Sequence, residues 1–208
     1  MTSGRLFRTT SLILVLIFSL TNSIFPASAA EPAGLISDFT AFVNSIKDGQ
    51  GGVVRGVYVP ELFSLKVLQQ PANNRAYVSA LTGVATEFKT ARDAGNIGLL
   101  AHNYLAGQDF PSLKTGQEIR IVFGDGKIEY FKITKFFRYQ ALQPNNTKSN
   151  FQDLDSGERI SASELFAKVY KGAYHVTFQT CIYKDRDRSW GRLFVIAEPF
   201  TPGQLTHN

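Results

Sequence analysis

Seven short runs rich in β-branched and aromatic residues limit the folds that this chain can adopt. They are VVRGVYV from Val53, LFSLKVL from Leu62, IGLLAHNYL from Ile97, QEIRIVF from Gln117, KIEYFKITKFF from Lys127, AYHVTFQTCIY from Ala173 and WGRLFVIA from Trp190. Turn residues separate most of the runs, and in VFGDGKI the pair Asp125-Gly126 predicts a tight primed turn. The pattern predicts a dense set of antiparallel strands.

Helical signals are few. Ile36, Phe39, Val43 and Ile46 recur at helical spacing before Gly49 and predict one amphipathic helix. Residues 70–96 are expected to include a helical turn, and the capping-box spacing of Ser161 and Glu164 predicts a short helix from about Ala162 to Tyr170. One helix before many strands predicts a mainly β fold, a closed barrel of about seven to eight strands with one or two short helices in loops.

The N-terminus is organised like an export signal. Arg5 and Arg8 precede the apolar run LILVLIFSL, and Ala27 and Ala29 in PASAAE form the small-x-small pattern that signal peptidases cleave. A transmembrane helix needs roughly 20 apolar residues, and polar residues interrupt this run soon after Leu20. We expect residues 1–29 to be a signal peptide, with an uncleaved membrane anchor as the alternative.

The rest of the chain divides into a helix and linker (residues 30–52), a barrel domain (residues 53–199) and a polar tail (residues 200–208). Loss of Arg5 and Arg8 with the signal lowers the formal net charge from +5 to +3. That charge is too small to indicate nucleic-acid binding.

Cys181 is the single cysteine of the 208 residues. One thiol forms no internal disulfide, so in an exported chain it is either a buried filler or a reactive group. Because strand residues alternate between two faces, Cys181 shares a polar face with His175 and Gln179, whereas Val176 and Phe178 lie on the other face. A filler belongs with the apolar residues, so the alternation favours a reactive thiol.

A reactive thiol needs a proton partner, and the chain has three histidines. His175 lies on the same strand as Cys181, about 20 Å away at about 3.3 Å per residue, and is out of reach. His207 belongs to the polar tail. Elimination leaves His102, near the end of GLLAHN.

The third group follows from hairpin geometry. A turn centred between Arg186 and Asp187 in KDRDRS places Arg192 opposite Cys181 on one face, with Cβ atoms about 5 Å apart. A fixed cation beside a thiol can stabilise an oxyanion or hold a substrate carbonyl. Arg186 and Arg188, at the tip, are interpreted as solvated charges.

Three segments together resemble the sortase family, cysteine transpeptidases that join exported proteins to the cell envelope or to each other. GLLAHN resembles the strand that ends in the catalytic histidine, TFQTC the strand end that carries the nucleophile, and GRLFVIA the following strand with its arginine. The resemblance covers roughly Val53 to Pro199. It implies that His102, Cys181 and Arg192 are the catalytic residues. It also implies that Thr180 lies in the substrate cleft.

The resemblance further implies a sortase-like barrel that performs acyl transfer outside the cytoplasm, at the cell envelope. The expected partners are exported proteins carrying a sorting motif and an amine acceptor from the cell wall or a protein. No cofactor, metal or nucleic acid is expected. An inactive sortase-like binding module and a purely hydrolytic cysteine peptidase are the alternatives.

The chain departs from the family pattern beside the histidine, where Ala101 replaces the usual glycine and Asn103 the frequent arginine. The segment before the cysteine strand, which reads the substrate in sortases, carries the acidic cluster DLDSGE. Some sortases bind calcium near this segment. The cluster lacks the EF-hand calcium-loop pattern, so we interpret it as a solvated loop.

Overall fold

The computed structural model describes residue 1, residues 33–146 and residues 148–203. The segment predicted as an export signal lies outside the described residues, apart from residue 1. The helices are α1 (Ala33–Ile46), α2 (Lys89–Asp93) and α3 (Ala162–Tyr170), with a 3₁₀ helix at Ala106–Ser112. The strands are β1 (Val54–Val59), β2 (Phe63–Gln69), β3 (Val84–Glu87), β4 (Ile97–Leu100), β5 (Glu118–Phe123), β6 (Ile128–Ala141), β7 (Phe151–Asp153), β8 (Arg159–Ile160), β9 (Val176–Lys184) and β10 (Asp187–Pro199).

The predicted closed barrel is confirmed. Eight strands follow one another in the order β10, β9, β4, β3, β2, β1, β5, β6, and the pairing of β6 with β10 closes the ring. The long strand β6 also pairs with β7, and β7 with β8, so these two short strands extend the sheet outside the ring. Closure leaves no open edge among the barrel strands.

Two strand pairs run parallel, β2 with β3 and β4 with β9, so the prediction of an antiparallel set is wrong for them. The sequence pattern also does not predict β3, whose four residues VATE are all buried. A strand covered on both faces shows no apolar and polar alternation. The short strands β7 and β8 lie within a segment that the sequence predicts to be a polar loop.

The turn between β5 and β6 also differs from its prediction. Within this fully described turn Gly126 has a positive φ of 88°, whereas Asp125 does not. The Gly126 N–H donates to the Phe123 carbonyl at 2.9 Å, and the Phe123 N–H donates to the Lys127 carbonyl at 2.9 Å. The hairpin therefore closes through three residues ending on a left-handed glycine rather than through a two-residue primed turn.

Among the described residues, three apolar clusters hold the elements together. The largest fills the barrel and includes Val57, Leu99, Ile121, Phe178 and Val195. A second lies between α3 and the outer face of β6 and β10, and includes Tyr139, Leu165, Val169, Tyr170 and Phe194. A third packs the predicted N-terminal helix α1 onto β1 and β5, through Phe39, Ile46, Tyr58 and Val122.

Helix α3 has the predicted bounds, and its predicted capping box forms at the start. The Ser161 hydroxyl accepts from the Glu164 N–H at 3.2 Å, and the Glu164 carboxylate accepts from the Ser161 N–H at 2.9 Å. These bonds satisfy two of the N–H groups that a helix start leaves unpaired. The cap fixes where α3 begins on the outside of the barrel.

Candidate active site

Cys181 lies near the end of β9, half-buried and with a free thiol. Helix α3 forms hydrogen bonds with Thr177 and Gln179, which precede Cys181 on the same face of β9. The Thr177 hydroxyl donates to the Val169 carbonyl at 2.6 Å, and the Tyr170 hydroxyl donates to the Gln179 side-chain oxygen at 2.5 Å. Burial raises the pKa of Tyr170, which keeps the phenol protonated as this donor. Cys181 itself lines a cleft, a position that does not suit a buried filler.

Arg192 pairs directly with Cys181 in the ladder between β9 and β10, as predicted. Its Nη1 donates to the carbonyls of Ser189 and Gly191, both at 2.8 Å, and its Nη2 to the Pro144 carbonyl at 3.4 Å. Within the described residues the Nε–H makes no hydrogen bond. The guanidinium is therefore held beside the thiol strand with a donor still available.

The register is as predicted although the turn lies one residue earlier. Asp185 and Arg186 have positive φ angles of 51° and 67°, and they connect the paired residues Lys184 and Asp187. A register shift between Asp187 and Gly191 then restores the predicted pairing of the cysteine with the arginine. An irregularity in the ladder thus compensates for the displaced turn.

His102 follows β4, which runs parallel to β9. The last bridged pair is Leu100 with Gln179, and the Ala101 N–H donates to the Gln179 carbonyl at 3.1 Å. Continuing this register by two residues brings His102 level with Cys181. The strand order therefore places the cysteine between the arginine strand and the histidine strand, and all three residues line one cleft.

The His102 ring is stacked on Tyr104, with ring centroids 5.1 Å apart and an interplanar angle of 21°. Its nitrogens make no hydrogen bond to the described residues, so the stack is the contact that orients the ring. The Arg188 guanidinium lies 4.8 Å from the centre of the Tyr104 ring. The Asn103 side-chain N–H donates to the Arg188 carbonyl at 3.0 Å. Arg188, interpreted from sequence as a solvated charge, therefore braces the histidine loop while remaining exposed.

Thr180 lines the same cleft, but its side chain is 2% exposed. Its hydroxyl has no hydrogen-bond partner among the described residues. Gly107 lies against it, since a Cβ built on Gly107 would contact the Thr180 hydroxyl. The same Cβ would lie 2.6 Å from the Ala101 carbonyl oxygen and 2.8 Å from that of His102. Thr180 thus packs under the histidine loop, and the substrate contact implied by the resemblance stays a prediction.

The cleft has a volume of about 390 Å³. Most of its wall is apolar and is formed by Phe88, Leu100, Phe151, Leu165, Phe166, Val169 and Phe194. Its formally charged lining residues are Arg75 and Arg192, and the described lining residues include no aspartate or glutamate. An extended peptide with an apolar side chain suits such a wall.

His175 does not line this cleft. His175 is 7% exposed, and its Nδ1 and Nε2 lie 2.7 Å and 3.0 Å from the carbonyl oxygens of Ala173 and Val169. Both nitrogens therefore face backbone carbonyl oxygens around the end of α3. His207 lies outside the described residues.

In the DLDSGE segment the Asp153 carboxylate accepts the N–H groups of Asp155 and Ser156 at 2.9 Å and 3.1 Å. The Asp155 carboxylate accepts from Arg138 at 2.6 Å. In the part of the chain that the structure describes, no group of three or more acidic, histidine or cysteine side chains is arranged to hold a metal ion.

Across residues 33–146 and 148–203, no helix combines the length and the hydropathy needed to cross a membrane. The apolar run at residues 12–20 lies outside these ranges. Export and membrane anchoring therefore stay predictions.

Three residues near the site are not among those predicted from the sequence: Arg75, Tyr104 and Gly107. Tyr104 carries a readable signal, an aromatic ring two positions after the histidine. Arg75 lies in a loop and Gly107 in the 3₁₀ helix. Neither segment has a periodic pattern, and only the folded chain brings Arg75 to the cleft and Gly107 under the histidine loop.

No protein-family model matches the chain, and no curated protein matches it. Solved structures similar to it include a sortase A of Listeria monocytogenes, with 16% identity, a TM-score of 0.45 and coverage of 72% of this chain and 88% of that one. A sortase D5 transpeptidase of Clostridium perfringens has 17% identity, a TM-score of 0.44 and coverage of 80% and 89%. A sortase C of the same organism, with the C-terminal cell wall sorting motif, has 17% identity, a TM-score of 0.40 and coverage of 82% and 91%. All three are described as sortases, the family that the sequence motifs resemble.

Proposed function

We propose that the chain is an exported cysteine transpeptidase of the sortase type, which cleaves a sorting motif in a protein substrate and transfers the acyl part to an amine acceptor. One observation carries the proposal: Cys181 pairs with Arg192 on one side and, by continued register, with His102 on the other, within one cleft. A thiol can act as the nucleophile in acyl transfer, a histidine can carry the protons, and a fixed cation can stabilise the oxyanion.

In the first half-reaction the Cys181 thiolate attacks the carbonyl carbon of a peptide bond in the donor. Arg192 stabilises the charge that develops on the carbonyl oxygen. The carbon–nitrogen bond then breaks, and His102, as imidazolium, donates a proton to the leaving amine. A thioester joins Cys181 to the acyl part of the donor.

In the second half-reaction the acceptor amine attacks the thioester carbonyl. His102 takes a proton from the amine, the carbon–sulfur bond breaks, and Cys181 leaves as thiolate. A new amide bond joins donor and acceptor. Attack by water instead of the amine gives hydrolysis.

A peptide library offered together with hydroxylamine, a small amine that traps thioesters, tests the proposal by mass spectrometry. We expect hydroxamates of cleaved peptides and a transient acyl adduct on Cys181. Cys181→Ala should abolish both products. Arg192→Ala should lower turnover by about 10² to 10³, the usual loss for one oxyanion donor, and Arg192→Lys should rescue poorly because an ammonium lacks the planar fork of donors. Arg186→Ala, at the exposed hairpin tip, is the matched control and should keep wild-type turnover.

Other outcomes identify the alternatives. Free acids without hydroxamates at high amine concentration would show a hydrolytic peptidase. Peptide binding without any adduct on Cys181 would show an inactive binding module. Alkylation of the folded protein provides an independent check, since an accessible Cys181 reacts without denaturant, whereas protection until unfolding would indicate a buried filler.

A further inference from the structure

The formally charged residues that line the cleft are all positive. Arg75 and Arg192 line it, together with His102, and the described lining residues include no carboxylate. Arg192 is assigned above to the carbonyl oxygen at the reacting bond. Arg75 is therefore the cation on the wall that the proposed chemistry does not use.

The buried side chain of Gln70 holds the loop that carries Arg75. Gln70 is 6% exposed, and its side-chain N–H groups donate to the carbonyls of Arg75 at 3.0 Å and Tyr77 at 2.9 Å. Its side-chain oxygen accepts from the Lys89 N–H, at the start of α2, at 2.9 Å. A buried side chain with all these bonds made fixes the backbone around it. The loop that carries Arg75 is thus tied to the barrel at the edge of the cleft.

The Arg75 guanidinium itself is exposed and forms no ion pair with the described residues. The positive charge of Arg75 acts on the carboxylate of Asp93, but this carboxylate already forms an ion pair with Lys89 Nζ at 2.8 Å. Hydrogen bonding to Lys89, more than the charge of Arg75, lowers the pKa of Asp93. Arg75 therefore lines the cleft without a direct ion-pair partner among the described residues.

We propose that Arg75 is a specificity-determining residue that pairs with a carboxylate of the donor peptide, whose neighbouring apolar side chain lies against the wall of the cleft. This inference rests on the proposed function, since it names the class of donor that the same site takes. The site then prefers donors that carry an acidic residue beside an apolar one. It disfavours donors with a basic residue there, because like charges repel in a cleft without a carboxylate.

The test uses sets of short fluorescent peptides that differ only in having Glu, Gln or Lys at one position, scanned along the peptide. Binding is measured with Cys181→Ala protein, and acylation with the protein that keeps its thiol. At one position we expect Glu to exceed Gln by about two- to fivefold in affinity and in kcat/KM, the range for an exposed ion pair. High salt should reduce the preference by screening. Arg75→Ala should remove it, and Arg75→Glu should reverse it in favour of Lys.

Arg186→Ala is the matched control, an exposed arginine outside the cleft, and it should keep the full preference. Equal binding of the three peptides at every position, or a Glu preference that survives in Arg75→Ala, would overturn the inference. Acylation without any charge preference would overturn the role of Arg75 and leave the transpeptidase intact. Charge-selective binding that depends on Arg75, without acylation of any peptide, would support the pairing of Arg75 with the carboxylate. It would refute the proposed transpeptidase activity.

Discussion

Replacing Gly107 by alanine should displace the loop that carries His102. Gly107 is buried at the start of the 3₁₀ helix, and its N–H donates to the His102 carbonyl at 3.0 Å. An added Cβ would contact the Thr180 hydroxyl and lie 2.6 Å and 2.8 Å from the carbonyl oxygens of Ala101 and His102, where ordinary contact begins at 3.4 Å. Gly107 does not have a positive φ, so the substitution acts through crowding rather than through backbone strain.

The loss of stability and turnover depends on which atoms must move to make room for the added Cβ. The neighbours are mainly backbone, and Ala101 is also tied to β9 through Gln179, so the crowding cannot be relieved by rotating a side chain. Overpacking of this kind costs about 1 to 3 kcal/mol. For a domain of this size we expect Tm to fall by about 2 to 12 °C. Turnover should fall by about 10²-fold, since a displacement near 1 Å can cost that much.

The assays are thermal unfolding and hydroxamate formation. Gly51→Ala is the control, because its Cβ would meet only the movable carboxylate of Asp125, at 3.2 Å. Adding Thr180→Ala to Gly107→Ala removes one of the three contacts and should restore part of the stability. Wild-type Tm and turnover in Gly107→Ala would refute the placement of the histidine loop against this glycine.

Three further predictions concern single contacts. Tyr104→Ala should lower kcat by about two- to tenfold with little change in KM, because the energy of one aromatic pair corresponds to such a factor. It should also shift the NMR signals of the His102 ring, whereas Tyr104→Phe should keep the wild-type kcat and signals. Unchanged signals in Tyr104→Ala would contradict the stack. Thr180→Val removes a buried, unpartnered hydroxyl, so the free energy of unfolding should stay the same or rise by about 1 kcal/mol, and a marked loss in denaturant unfolding would reveal a hidden partner. Ser161→Ala should cost about 1 kcal/mol through loss of the cap on α3, measured by urea unfolding, with Ser161→Asp retaining most of it.

Features that depend on neighbours along the chain are predictable from the sequence. The capping box fixes where α3 begins, and the β-rich runs give seven of the ten strands in the part of the chain that the structure describes. The alternation along β9 puts Cys181 on the polar face, and symmetry about the hairpin tip pairs it with Arg192. This pairing holds even though the turn is displaced, because the bulge that absorbs the difference lies between the turn and the paired residues.

Features that depend on contacts between distant segments are decided by the tertiary structure. Strand β3 is defined by its parallel pairing with β2 and by burial on both faces, not by a pattern in VATE. The parallel pairing of β4 with β9 sets how far His102 extends toward Cys181, and no local signal fixes that register. The same holds for Arg75, which lines the cleft on a loop whose carbonyls at Arg75 and Tyr77 accept hydrogen bonds from the buried Gln70. Hydrogen bonds and crowding across loops have no period along the chain, so only the closed barrel determines them.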